Sequence, residues 1–81
     1  MQTLIGYSMS VYDLKVGQSG KIVKINVEGS AAVRLESLGI TTGKRVTALA
    51  FSLFKSSVMI GCGSVRLGLR KNFAKLIEVE A

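Results

Sequence analysis

Apolar and polar positions alternate most regularly from Val65 to Arg70, where Val65, Leu67 and Leu69 interleave with Arg66, Gly68 and Arg70. A period of two predicts a strand with one face on a core and the other in water. Gly61-Cys-Gly-Ser64 precedes it as a glycine-rich hairpin turn, entered from a strand over Val58 to Cys62. Upstream, Lys21 to Val27 and Val46 to Phe51 also read as strands, the second extending as far as Leu53. On the first of these, Val23, Ile25 and Val27 share one face while Ile22 lies on the other, which predicts cover on both sides. Lys55-Ser-Ser57 turns the chain into the Val58 strand. A single helical turn at Asn72 to Lys75 leads to a last strand at Leu76 to Val79, with Ile77 and Val79 facing inward.

One segment breaks the two-residue period. Ser30 is a good N-cap for a helix running from Ala31 to Leu38, and Leu35 and Leu38, three apart, share one of its faces. Gly39 follows where helices often end in a left-handed residue, a conformation glycine adopts without steric cost. Ile40 can then fold back on the last turn before Thr41-Thr-Gly43 leads to the next strand. Nearer the start, Ser10 to Leu14 reads as one helical turn with Ser10 as N-cap and Asp13 in the first turn. Lys15 to Gly20 reads as a turn, and residues 1–10 carry no clear pattern. The whole is mostly β: about five short strands with one inserted helix at about residues 30–38. Short connections favour a small barrel, since closure protects strand edges.

Composition narrows the class. The chain has 81 residues, nearly half of them apolar and only a fifth charged, which argues for one small folded domain over residues 1–81 and against disorder. The lone Cys62 excludes an intramolecular disulfide. The first seven residues lack a basic, apolar leader pattern, and the longest apolar-leaning run, Val46 to Phe54, falls far short of the about 20 residues of a membrane helix. A soluble cytoplasmic protein with no membrane insertion is expected. The net charge of +6 is uneven: between Ser37 and Ile77 there are no acids but seven bases, Lys44, Arg45, Lys55, Arg66, Arg70, Lys71 and Lys75. Such a field suits nucleic acid, an anionic membrane or an acidic protein surface, or simply keeps an apolar protein in solution.

Candidate chemistry is sparse. There is no histidine, and the five acids, Asp13, Glu28, Glu36, Glu78 and Glu80, are scattered. A zinc site of four Cys or His ligands is therefore not available, and a carboxylate cage is not indicated; Cys62 reads as a small apolar filler. Neither Cys62 nor any serine has a histidine to activate it, so no enzyme and no cofactor are implied. Gly39 to Lys44 lacks the spacing of a phosphate loop and follows a helix instead of preceding one. Nucleic-acid binding by a basic barrel is the main alternative, but the aromatic residues do not alternate with bases on one strand face, and Phe51 and Phe73 read as core.

With these elements placed, the sequence resembles the FeoA family of ferrous-iron transport proteins from about Leu14 to Val79. The likeness lies in Leu14-Lys-Val-Gly17, Gly20-Lys-Ile22 with Ile25, Arg34-Leu-Glu-Ser-Leu-Gly-Ile-Thr-Thr-Gly43, Val58-Met-Ile60, then Leu69-Arg70, Ala74, Ile77 and Val79. The resemblance implies an SH3-like β-barrel with an inserted helix, acting as a cytoplasmic accessory to FeoB, a membrane ferrous-iron transporter with a cytoplasmic G-protein domain. Two positions depart from the family pattern. Leu53-Phe-Lys-Ser-Ser57 stands where prolines and a glycine are common, and Gly68 where alanine is common. The same barrel also occurs as a C-terminal domain of metal-dependent repressors, although no helix-turn-helix precedes it here.

The partner surface expected from the sequence is the barrel rim. Alternation fails at Phe51-Ser-Leu-Phe-Lys55, and Leu53 and Phe54 together cannot easily both point inward; one is expected to be displayed to a partner, the alternatives being a strand buried on both faces or a homo-oligomer contact. Leu53 and Phe54 are the expected apolar anchors, with Lys55, Lys44 and Arg45 as steering charges.

Overall fold

The structure is a computed structural model and describes residues 9–80. It contains six strands, β1 Met9–Ser10, β2 Ser19–Ile25, β3 Arg45–Phe51, β4 Ser57–Cys62, β5 Val65–Arg70 and β6 Ile77–Glu80, with two helices, α1 Ser30–Ser37 and α2 Lys71–Ala74. All pairings are antiparallel, in the order β1-β6-β2-β3-β4-β5. The mostly β class and the inserted helix agree with the sequence reading. The additional strand is β1, which carries only two residues and gains its order from β6 rather than from any pattern of its own. Residues 1–8 of the unpatterned lead-in lie outside the described residues.

The outermost strands of the ladder, β1 and β5, are linked through the short elements between them. A 3₁₀ turn at Val11–Asp13 follows β1, while α2 follows β5 and packs on that turn as well as on β4 and β5. Local chemistry supports the turn, since the Asp13 carboxylate accepts from both the backbone N–H and the hydroxyl of Ser10, at 2.9 and 3.1 Å. The curled sheet encloses a core that includes Val11, Leu14, Ile22, Leu35, Ile40, Val46, Ile60 and Val79, all buried.

Two bulges set which side chains reach that core. The β2–β6 register skips Val23, so Ile22 and Ile25 both turn inward across an odd spacing. This differs from the simple alternation read from the sequence, in which Ile22 and Ile25 faced opposite ways. In β3 the register skips Leu49, so Val46 and Ala48 are followed inward by Phe51. The displaced Leu49 is accommodated by Gly61, where a Cβ would lie 3.2 Å from the Leu49 Cδ1.

Helix α1 ends as its sequence predicts. Ile40 N–H donates to the Leu35 carbonyl and Gly39 N–H to that of Glu36, both at 2.9 Å, and Gly39 has φ +83°. These two bonds with a left-handed glycine form a Schellman cap, and they bring Ile40 back into the core beside Leu35. Its start is different. Gly29, at φ 72°, is the N-cap and Ser30 is already the first helical residue, so no side chain caps this end. The hairpin between β4 and β5 is also tighter than expected. Cys62 pairs with Val65 as the last residue of β4, and only Gly63 and Ser64 form the turn. The Cys62 thiol is consequently buried in the core.

Candidate functional site: a braced apolar tip

Beyond the core-facing Phe51, the chain from Ser52 to Ser57 must reverse direction within four residues. It does so through a turn in which Lys55 N–H donates to the Ser52 carbonyl at 2.8 Å. Phe54 has φ 66° and ψ 12°, and Lys55 has φ 56°. Two consecutive non-glycine residues in the left-handed region are costly, about 1–3 kcal/mol each, and persist only where surrounding contacts over-determine them.

Those contacts come from serines and from distant elements. Ser52 N–H donates to the Ser57 carbonyl, Ser57 N–H donates to Ser52 Oγ, and the Ser52 and Ser56 hydroxyls lie 2.9 Å apart. From the 3₁₀ turn, Tyr12 Oη donates to the Lys55 carbonyl at 2.8 Å; from α2, Lys71 N–H donates to the Ser56 carbonyl at 2.9 Å. The result is a fixed tip that exposes Leu53 at 79% and Phe54 at 90%. Both expected anchors are therefore displayed, whereas the sequence required only one. Tyr12→Phe deletes one of the braces, and a loss of about 1 kcal/mol in urea unfolding is expected from it.

Lys55 is exposed, and it leans over two aromatic rings. Its ammonium sits 4.6 Å from the Phe51 ring centroid and 5.3 Å from that of Tyr12, and those rings meet edge-to-face at 5.8 Å. Lys71 and Lys75 also approach the Tyr12 ring, at 5.7 and 5.5 Å. The structure thus gathers Lys55, Lys71 and Lys75 around Tyr12 at the base of the tip. The sequence names Lys71 and Lys75 only among the seven bases of the acid-free stretch, and no local signal joins them or Tyr12 to the tip, because Tyr12 reaches it from 43 residues away.

Lys44 and Arg45 lie elsewhere. Arg45 opens β3 opposite Lys21, and the tip follows the other end of the same strand. At a rise of roughly 3.3 Å per residue the two ends are roughly 20 Å apart. Leu53, Phe54 and Lys55 form one locus, while Lys44 and Arg45 form a second basic spot near the turn after α1. Among the described residues no group of three or more His, Cys, Asp or Glu side chains is placed to hold a metal ion. No helix among them is long and apolar enough to cross a membrane.

A family model for the FeoA domain matches residues 9–81. The chain belongs to the FeoA domain family. Solved structures agree: a FeoA protein from Chlorobium tepidum is 26% identical, with a TM-score of 0.83 over 89% of this chain and 69% of that one. A zinc complex of FeoA from Stenotrophomonas maltophilia, described as a prokaryotic SH3 domain protein, has a TM-score of 0.75 at 24% identity, over 89% of each chain. The FeoA-domain chain described here accordingly has an SH3-like fold. A manganese-dependent transcriptional repressor shares that fold with a TM-score of 0.77 at 21% identity; the match covers 93% of this chain and 42% of the repressor. No curated protein sequence matches.

Proposed function

We propose that this FeoA-domain protein is a cytoplasmic accessory of ferrous iron uptake and acts by docking its Leu53–Phe54 tip on the cytoplasmic G-protein domain of a FeoB-like transporter. The observation that carries the reading is the tip itself. Two large apolar side chains stand almost fully in water on a backbone whose strain is held by hydrogen bonds from β4, α2 and the 3₁₀ turn. Exposing them has no benefit to the folded chain alone, and holding them rigid lowers the entropy lost when a partner pocket receives them. Lys55, Lys71 and Lys75 supply positive potential around that tip, which favours an acidic receiving surface and fast encounter. The family is consistent with this role: the Clostridium thermocellum relative is described as iron(II) transport protein A, and the Stenotrophomonas protein in connection with activation of ferrous iron transport.

Nucleic acid is the second reading, favoured only by the basic surface. Against it, Tyr12 and Phe51 are engaged by lysine ammonium groups and by each other, leaving Phe54 as the exposed aromatic side chain among the described residues. Single-strand binders instead present successive aromatic platforms. Titration calorimetry against the purified cytoplasmic domain of the cognate transporter tests the proposal. One-to-one binding that weakens moderately with salt is expected, and a single-stranded oligonucleotide should give no heat. Absence of binding to that domain, with tight and steeply salt-dependent oligonucleotide binding, would reverse the assignment.

A further inference from the structure

β5 is the outermost strand at one end of the sheet, and its exposed edge is separate from the Leu53–Phe54 tip. In the β4–β5 ladder, Lys71 N–H donates to the Ser56 carbonyl and a two-residue turn joins Cys62 to Val65. Antiparallel pairs alternate between bonded and non-bonded, so Val65, Leu67 and Leu69 direct their backbone groups to β4. Arg66 and Gly68 direct their N–H and C=O groups the other way, toward the free side of the sheet. Among the described residues, no bond from a turn, loop or cap reaches those groups. Gly68 is exposed, and without a side chain its exposed surface is the backbone. Of the usual edge protections β5 carries the exposed charges of Arg66 and Arg70, but its register against β4 has no bulge, its six residues include no proline, and no charge points inward.

The two sides of the edge have different chemistry. On the outer face Arg66 and Arg70 flank Gly68. On the inner face Leu67 and Leu69 border a groove of about 540 Å³ that Ala31, Arg34 and Leu35 of α1 and Phe73 of α2 complete. We infer that β5 accepts an extended segment of a partner protein as an added strand. Its alternate residues are apolar where they enter the groove and acidic where they lie beside Arg66 and Arg70. Main-chain bonds supply affinity in such strand addition and the alternating pockets supply specificity. Charge selects the acidic peptide, since among the described residues the charged ones lining the groove or lying on β5 are Arg34, Arg66 and Arg70.

The surface is tested without reference to any transporter. A blocked seven-residue peptide alternating valine and glutamate is titrated into ¹⁵N-labelled protein, with a valine–lysine peptide as the charge control. Saturable shifts at Arg66, Gly68 and Arg70, slowed hydrogen exchange at the Gly68 amide, and no response to the lysine peptide are expected. Gly68→Pro removes an N–H that β4 does not use, so the fold should persist while peptide affinity falls roughly tenfold, as expected for losing about one to two hydrogen bonds. If that variant were misfolded, Arg66→Glu with Arg70→Glu provides the second arm and should transfer preference to the lysine peptide. Equal binding of both peptides, shifts confined to the Leu53–Phe54 tip, or the same edge shifts arising from protein concentration alone, which would mean self-pairing, each overturns the inference.

Discussion

Gly20→Ala is expected to cost about 1–3 kcal/mol, the usual range for overpacking a core, and Gly20→Val to cost more. Gly20 is buried in β2 where that strand lies against β6. A Cβ built there would lie 3.0 Å from both the Cβ and Cγ2 of Val79 and 3.1 Å from the Glu80 carbonyl oxygen. Val79 is fully buried and the carbonyl is main chain, so neither neighbour can swing aside. Relief requires moving β6 away from β2, which would disturb the pairing that also anchors β1. A chain of this size has roughly 4–12 kcal/mol of net stability, so the larger valine removes a substantial share of it. The matched control is Gly68→Ala. There the nearest atom to a new Cβ is the flexible Met59 Cε at 3.9 Å, and stability should change by less than about 0.5 kcal/mol. Urea titration of the three variants by circular dichroism decides it; a Gly20→Ala midpoint equal to that of the parent would refute close approach as the reason for glycine.

The same glycines illustrate what a sequence can and cannot disclose. Gly39 was legible because its role is local: a helix ends, φ becomes positive, and Ile40 follows within one turn. The alternating Val65–Arg70 strand was legible for the same reason. Gly20 is silent, since its neighbours are some sixty positions away and arrive through β6. Phase was lost at Val23 and Leu49, where a bulge reverses which side of the strand faces the core, and a period of two has no means of signalling the extra residue. The candidate site divides along this line. Failed alternation marked one of Leu53 and Phe54 as exposed. Their support by Tyr12, Lys71 and the serine network, and the separation of Lys44 and Arg45 to the far end of β3, depend on tertiary placement.

Leu53→Asp combined with Phe54→Asp should weaken binding to the transporter's cytoplasmic domain by roughly 30-fold or more, the loss associated with removing a central apolar anchor. Both side chains are already in water, so thermal stability should remain within a few degrees of the parent. Phe54→Gly separates display from strain. It removes the anchor but also relieves a left-handed φ of 66°, so it is expected to bind at least tenfold more weakly while gaining about 1 kcal/mol in stability. A residue kept for packing would show the opposite pattern, losing stability when truncated. Lys44→Ala with Arg45→Ala, roughly 20 Å away by strand rise, should leave dissociation unchanged and slow association only a few-fold, a difference erased at high salt. Surface plasmon resonance reads both rates. Were the Phe54→Gly protein less stable than the parent yet equally tight in binding, the tip would be a structural turn and the docking site would have to be sought elsewhere on the barrel.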